Sequence, residues 1–447
     1  MRPPDSSAGL CAAPHAAYSR YALWLLMLSC ALNFLDRQVV NILAEPIKQE
    51  FSLSDTELGI LTGLAFAIFH ATLTLPMAWL ADRGNRVVVI AGSMAAWSLA
   101  TVFSGLSSGF AQLLAARMLV GIGEAGGIAP AHALIADSVS KRRRATAIAF
   151  FSAGIPLGGL LGMALGGLVL DAHGWRTAFI VAGAPGFVLA PLMLLTLRDP
   201  KRSGGTAAPA EPPVPFAEAL REIVSKKAFL LVAAAGAAMT FVNFGQAAFI
   251  ASFFFRAHGE ALGAMAAVLG TALGTAMGAA ALLGLALGLI KGGTGVVGAL
   301  AGGWMTDRID GDGYRAYATL PAIAAIVRIP LFTMALLTPD ARVAFTLLAA
   351  HFLVGGVGGI GGFAAVQGLV RPRVRATAAA VYGLGINLVG LGLGPLAVGL
   401  ASDAFRTSGL GAVEGLRWAL IASSVPMLLV AALNWRARRL IAVESVG

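Results

Sequence analysis

RRATAIAFFSAGIPLGG at residues 143–159 returns as VRATAAAVYGLGINLVG at 374–390. Arg144, Ala145, Thr146, Gly154, Ile155, Leu157 and Gly159 reappear 231 positions later as Arg375, Ala376, Thr377, Gly385, Ile386, Leu388 and Gly390. Two further echoes keep the same order: LADR at 80–83 matches MTDR at 305–308, and Asn33-Phe34 matches Asn243-Phe244. The chain before about residue 200 and the chain after it are therefore read as two copies of one unit.

Composition says what the unit is made of. Of 447 residues, 58% are hydrophobic and 12% charged, and the mean hydropathy is +0.81. A soluble domain runs at about 45–50% apolar and about 25% charged, so the chain is read as an all-α integral membrane protein. A net charge of +10 would suggest nucleic acid in a soluble chain. Here the basic residues form short clusters between apolar runs, without aromatic interleaving, so no nucleic-acid partner is expected and the clusters serve as topology signals. Cys11 and Cys30, one in the polar tail and one in the first apolar run, make neither a metal set nor a disulfide framework. The first 20 residues lack the apolar core of a cleavable signal peptide.

A helix crossing the hydrocarbon core needs about 20 apolar residues. Such runs lie at roughly 20–44, 56–81, 86–107, 110–137, 145–170, 176–197, 228–256, 283–305, 315–337, 342–368, 375–402 and 414–436, twelve in all. Putting both chain ends and the even-numbered loops on one side gives that side 22 Lys and Arg, against six on the other: Lys48, Arg176, Arg256, Arg342, Arg406 and Arg417. The positive-inside rule then makes both termini cytoplasmic. The expected organisation is a tail (1–19), a six-helix bundle (20–197), a linker (198–227), a second six-helix bundle (228–437) and a tail (438–447). Within the linker, FAEALREIVSKK at 216–227 reads as a short amphipathic helix on the cytoplasmic surface. The offset between the echoes grows from 210 at Asn33 to 225 at Asp82, so about 15 extra residues lie in the second copy. The Ala- and Gly-rich region 257–283 is where they fall, as an extra outer helix or an extension of the eighth span. Two parallel six-helix halves related by an axis along the membrane normal are the plan of the major facilitator fold, whose site lies between the halves near midplane.

Charge inside a membrane costs at least about 2.5–3.5 kcal/mol per residue on insertion scales, and is kept mainly where it meets a cavity or a partner. The first span holds Asp36 and Arg37, and the fourth holds Arg117, Glu124 and His132. At about 1.5 Å per residue, Arg37 stands roughly 24 Å above the inner end of its span, between Glu124 at roughly 18 Å and Arg117 at roughly 28 Å on the other. Arg117 and Glu124 share one helical face, with Gly121 between them read as keeping it open. Asp36 and Arg37 point about 100° apart. The expected contact is Arg37 towards Glu124, with Asp36 in a neighbouring one. Such a cluster either handles substrate and protons or is a permanent ion-pair network tying the two spans together. The second copy has Gly245-Gln246 where the first has Leu35-Asp36, and supplies Lys291, Arg328 and His351 instead. The cavity between the halves should thus be net basic, with two carboxylates on one wall and Asn33, His132, Asn243 and Gln246 as further polar candidates. That surface suits an amphiphile with an anionic head and an apolar tail.

Asp82, Arg83 and Arg86, in ADRGNR between the second and third spans, form a separate set with Asp137 and the run Lys141-Arg142-Arg143-Arg144. These acids and bases are expected to pair across the inner face when it is closed and to part when it opens, besides fixing topology.

NFLDR at 33–37, ADRGNR at 81–86, RMLVGIGEA at 117–125, Ala129-Pro130 and IPLG at 155–158 together resemble the Spinster family of the major facilitator superfamily, in a bacterial form. The resemblance is close over the first six spans and rests on architecture thereafter. It implies transport of lysophospholipids or sphingosine-1-phosphate, as in the animal members, with proton coupling. Carried over, the family's charged positions are Asp36, Arg37 and Glu124, with Arg117 behind them. Ala78, where the superfamily's loop motif commonly begins with Gly, and the long 257–283 region depart from the pattern.

The expectation is therefore an alternating-access carrier acting as a monomer in the bacterial inner membrane. Its partners are the lipid bilayer and a small amphiphilic substrate, whose head group Arg37 and Arg117 attract. Glu124 or Asp36 takes up a proton, since burial raises a carboxylate pKa and a nearby Arg lowers it; no cofactor is needed and the proton gradient supplies the energy. The alternatives are a multidrug or hydrophobic-compound exporter and a small organic-anion symporter. The histidines at 15, 70, 132, 173, 258 and 351 show no ligand spacing, and neither GxSxG nor HExxH occurs, which argues against an enzyme.

Overall fold

The computed structural model describes residues 12–140, 143–200, 215–310, 315–359 and 361–444, and the regular structure among them is helical throughout. Among the described residues, ten helical runs are long and apolar enough to cross a bilayer. Two are double. Arg144–Thr196 is 53 residues long and is broken at Gly174, where φ is 80°; Thr377–Ile441, with 65 residues, is broken at Gly409 and Gly411, where φ is 101° and 78°. A straight helix of 53 residues would measure roughly 80 Å, more than twice a hydrocarbon core. The left-handed turns that divide these runs are conformations open to glycine without a Cβ penalty.

Twelve spans result. They are span 1 (Tyr18–Phe51), span 2 (Asp55–Arg83), span 3 (Arg86–Leu106), span 4 (Phe110–Ser138), spans 5 and 6 (Arg144–Thr196), span 7 (Lys227–Leu273), span 8 (Ala279–Ile309), span 9 (Ala316–Leu337), span 10 (Ala341–Gly358) and spans 11 and 12 (Thr377–Ile441). The tight turns between them are capped by side chains: Ser54 and Glu57 form a capping box at the start of span 2, and Asn85 and Asp340 accept backbone N–H bonds at the starts of spans 3 and 10. With an even number of spans, both chain ends lie on one face, the chain-end face; the other is the far face.

Several bounds differ from those expected. The extra residues lie beyond a break at His258, where φ is −129° and ψ is 19°, which divides Lys227–Leu273 into two helices; the second, an outer helix following span 7, stops at Gly274 with φ 66°. This Ala-, Leu- and Met-rich stretch contains no Pro and so continues the helix until a left-handed C-cap ends it. Span 4 is interrupted at 125–127, directly after Glu124, and span 10 ends at Gly358, before a separate short helix Gly361–Gly368. The linker helix spans Phe216–Ser225, with Ala219 and Ile223 buried; linker residues 201–214 lie outside the described residues.

The two halves meet through glycine. A methyl group on Gly59 of span 2 would sit 2.5 Å from the Pro395 carbonyl oxygen of span 11, and one on Gly63 2.7 Å from that of Leu391. Small residues let the helix backbones approach this closely. Spans 5 and 8 touch in the same way but separate towards the chain-end face. A methyl on Gly288 would lie 3.0 Å from the Leu160 oxygen, one on Gly292 3.4 Å from that of Pro156, and one on Gly295 would meet nothing within 4 Å.

Ion pairs close the far face. Arg256 of the second half pairs with Glu45 at 2.7 Å and Asp55 at 2.8 Å of the first. Lys48 also pairs with Asp55, Ser402 donates to Asp55 at 2.6 Å, and Asp403 accepts from the Thr56 N–H at 2.8 Å. The halves are thus sealed at the far face and spread towards the chain-end face.

Candidate functional site

Spans 1 and 4 bring four charges together inside the first half. Arg37 Nε donates to Glu124 Oε2 at 2.6 Å, as the helical heights require. Asp36, on the adjacent side of span 1, accepts from Thr101 Oγ1 of span 3 at 2.5 Å. Asp36 and Arg117 are each 1% exposed and Glu124 is 0% exposed. Two carboxylates and two guanidinium groups make the set neutral when all are ionised, and burying ions is tolerable only when they are paired and hydrogen-bonded.

Aromatic rings fill the gaps. The Arg37 guanidinium lies 5.1 Å from the Phe34 ring centre and 4.9 Å from that of Phe66, and the Arg117 guanidinium lies 6.0 Å from the same Phe66 ring. Gly121 does not hold the face open as expected. A methyl there would come 2.5 Å from the Phe66 carbonyl oxygen, so this glycine lets span 2 press onto span 4 and sets Phe66 against both arginines. Arg117 Nε and NH1 make no hydrogen bond among the described residues.

Beside the cluster, a cavity of about 480 Å³ opens between the halves. Its polar side chains include Gln38, Asn243, Lys291 and Arg328, and Phe34, Phe244 and Phe352 contribute to its apolar wall. Lys291 Nζ donates to Gln38 Oε1 across the halves at 2.9 Å. Arg328 NH2 donates to Asn243 Oδ1 at 2.8 Å and lies 2.9 Å from His351 Nε2. Neither cation forms an ion pair among the described residues. A void of about 20 Å³ bordered by Arg37, Gln38 and Arg117 lies next to the cavity, and Gln38 lines both. Lys291 sits in a π-helical turn, Ile290–Thr294, which is mirrored by Ile60–Leu64 in span 2. Such turns redirect side chains and recur at functional sites.

Of the expected cavity residues, Asn243, Lys291 and Arg328 line it. The rest do not. Asn33 is buried beside Glu124, His132 packs edge-on against Phe151, Gln246 donates to Ser424 Oγ at 3.0 Å inside the second half, and His351 is buried against Arg328. The two carboxylates expected on the cavity wall are withdrawn from it into the cluster, because each has a donor there. Sequence reasoning missed Gln38, His70, Phe66 and Thr101; His70 Nε2 is 3.4 Å from Arg37 NH2. For Gln38, His70 and Thr101 the signal was a polar side chain in an apolar run, weaker than a formal charge; Phe66, apolar in an apolar run, gave none.

At the chain-end face, Arg86 pairs with Asp137 at 2.7 Å and Asp199 at 2.6 Å, Arg144 donates to the Ala136 carbonyl at 2.6 Å, and Arg83 stacks 4.0 Å over Trp79. Asp82 lies one residue before Arg83 in the last turn of span 2. The pairs of Arg86 and Arg144 stay within the first half, so in this conformation they brace that half and do not bridge the two. Lys141 and Arg142 lie outside the described residues.

Known proteins similar to this chain are transporters. A family model described as Major Facilitator Superfamily matches residues 26–294. An MFS-type efflux pump of Mycolicibacterium smegmatis is 34% identical, with 92% of this chain and 90% of the pump aligned. A zebrafish (Danio rerio) sphingosine-1-phosphate transporter is 30% identical, but over only 42% of this chain and 39% of its own length. The crystal structure of a bacterial homologue of the human lysosomal transporter Spinster, inward-facing and unoccupied, superposes with a TM-score of 0.81 at 31% identity, covering 96% of this chain and 99% of that one. The fold, the charged cluster and these matches agree, and the chain belongs to the Major Facilitator Superfamily, on its Spinster branch, as a multi-pass membrane transporter.

Proposed function

We propose that the chain is a proton-coupled carrier of an amphiphilic anion, of the lysophospholipid or sphingosine-phosphate type, in the bacterial inner membrane. The chain-end face is then cytoplasmic, and the conformation described is inward-facing. The observation that carries this reading is the pair of cations at the apolar cavity, Lys291 and Arg328, which have neutral hydrogen-bond partners. In a low-dielectric cavity a cation without a counter-ion is costly, and an anionic head group removes that cost. Phe34, Phe244 and Phe352 offer the tail an apolar wall.

Coupling follows from the neutrality of the cluster. A proton on Glu124 would free Arg37 from its partner and leave surplus positive charge beside the void that adjoins the cavity, which favours an anion there. Loss of that proton restores the pair and withdraws the charge. The head group and the proton then favour each other's presence, as co-transport requires.

The mycobacterial relative's name favours a second reading, export of hydrophobic compounds. A cationic compound would need acids on the cavity wall, where this chain has Lys291 and Arg328. The deciding experiment is uptake of labelled lysophospholipid and sphingosine phosphate into proteoliposomes, with and without a proton gradient, in competition with anionic and cationic amphiphiles. Gradient-stimulated uptake inhibited by the anions is expected. Uptake of neither lipid, with export of cationic dyes, would overturn the reading in favour of the exporter.

A further inference from the structure

Where span 7 begins and span 12 ends, the outer surface of the second half carries a groove of about 740 Å³, lined by Lys227, Leu230, Leu231, Trp435, Arg436 and Arg439, with Leu440 at its end. The residues follow one pattern on both helices. Lys227 stands three and four positions from Leu230 and Leu231, and Arg436 stands three and four from Arg439 and Leu440, so each helix turns cations and leucines to the same side. Span 7 enters the bilayer here and span 12 leaves it. That sets the cations at head-group depth and lets Leu230 and Leu231, deeper than Lys227, and Trp435, deeper than Arg436, reach towards the acyl chains.

Five other cations of the chain-end face are engaged. Arg83, Arg308 and Arg438 stack on Trp79, Trp304 and Trp435, Arg86 pairs with Asp137 and Asp199, and Arg371 pairs with Glu218 and Glu222. Lys227, Arg436 and Arg439 join no ion pair or ring contact among the described residues. Glu444, an acid on the same helix, is taken up by the Ala228 N–H at 3.0 Å. Topology determination needs cations at this face, but not a concave site in which cations from two helices converge beside an apolar floor.

We propose that this groove binds the phosphate head group of an anionic phospholipid of the surrounding bilayer, with its chains along Leu230, Leu231 and Trp435, at a site separate from the transport cavity. Basic pockets between membrane helices at a cytoplasmic face suit such head groups. A free phosphate would make no use of the leucines. The site lies at the junction between the linker helix and span 7, so a bound lipid anchors the second half where the linker joins it.

The test titrates the purified full-length protein in detergent with dioleoyl phosphatidylglycerol, against dioleoyl phosphatidylcholine, and reads bound lipid by native mass spectrometry. Phosphatidylglycerol should bind preferentially. K227Q, R436Q and R439Q should each weaken it about fivefold, and the triple variant on the order of 100-fold. The charge-matched triple R83Q/R308Q/R315Q and the cavity double K291Q/R328Q should both keep wild-type affinity. Equal losses in the two triples would reduce the effect to surface charge and overturn the proposal. Loss only in K291Q/R328Q would assign the lipid to the transport cavity, and displacement by inorganic phosphate as effective as by phosphatidylglycerol would make it a plain anion site; either result also overturns it. If the groove triple does not fold, the singles decide, and wild-type affinity in all three sinks the proposal.

Discussion

Glu124 is wholly buried with Arg37 as its hydrogen-bonding cation. Removing one partner of a buried pair strands the other, at a cost of about 3–5 kcal/mol, whereas removing both often costs little. Thermal melts in detergent should therefore show Arg37→Met and Glu124→Leu each strongly destabilising, and the double variant less so than either; additive losses would mean that the two charges are not coupled. Glu124→Gln keeps the shape and a weaker hydrogen bond, and should abolish stimulation by a proton gradient while leaving the fold intact. Retained stimulation would move the proton elsewhere, with Asp36 the next candidate through its bond to Thr101. At the cavity, charge-assisted hydrogen bonds are worth about 1.5–3 kcal/mol, so Lys291→Gln or Arg328→Gln should raise the Kd for an anionic amphiphile by about 10- to 100-fold. An unchanged Kd measured by calorimetry would remove these cations from the binding site.

The span 2–span 11 contact leaves no room for a side-chain carbon at Gly63, where a methyl would lie 2.7 Å from the Leu391 oxygen. Overpacking of this kind costs about 1–3 kcal/mol. Gly63→Ala should thus weaken the far-face seal and slow turnover, while Gly92→Ala, whose methyl meets nothing within 4 Å, should do neither. The linker helix is held differently. Burial pushes the Glu222 carboxyl up, but Arg371, which donates to it at 2.8 Å from Nε and at 3.0 Å from its backbone N–H, outweighs that and holds it below the usual range. The undocked value is about 4.3. Docking gains from this bond at all pH above that and loses the gain as pH falls through the lower, docked value. Protection of the 216–225 amides, measured as hydrogen exchange relative to the intrinsic rate at each pH, should be flat near neutrality and fall only in acid; a fall near pH 6 would point to another group.

These elements also show what the sequence makes legible. A repeat of seven residues, Arg144 to Gly159 against Arg375 to Gly390, is enough to reveal two halves, because helical packing reuses the same small residues at the same depths. The Arg37–Glu124 contact is legible because helical rise converts position into height. Interruptions are not. The break after Glu124 falls on Gly126-Gly127 with Pro130 just beyond, and the π-helical turn under Lys291 holds Gly292-Gly293, so the sequence marks where a helix is weak but not whether it breaks, bulges or runs straight through. His132 and Gln246 were misjudged for a related reason: sequence marks a polar residue in a span but not the direction it faces, and their actual neighbours are Phe151 and Ser424.

For the whole molecule, alternation requires the far-face seal to be strong enough to hold and weak enough to open. The seal centres on Arg256. Its guanidinium donates to both oxygens of Glu45 at 2.9 Å and to Asp55 at 2.8 and 3.0 Å, with all three side chains nearly buried. Two conformations of a working carrier differ by only a few kcal/mol, and stranding a buried charge costs about as much. Arg256→Met fills the space but leaves Glu45 and Asp55 facing each other with Lys48 alone to neutralise them. Opening lets water reach both acids, so the variant should favour the far-open state. A cysteine at Ser402, labelled in intact cells by a membrane-impermeant maleimide, should react at least about tenfold faster in the Arg256→Met background, a shift of about 1.4 kcal/mol. Adding Glu45→Gln and Asp55→Asn removes the stranded charge and should return labelling towards its original rate. If Arg256→Met leaves labelling unchanged, the glycine contacts alone hold the far face shut, and Gly63→Ala should then open it without help from the charges.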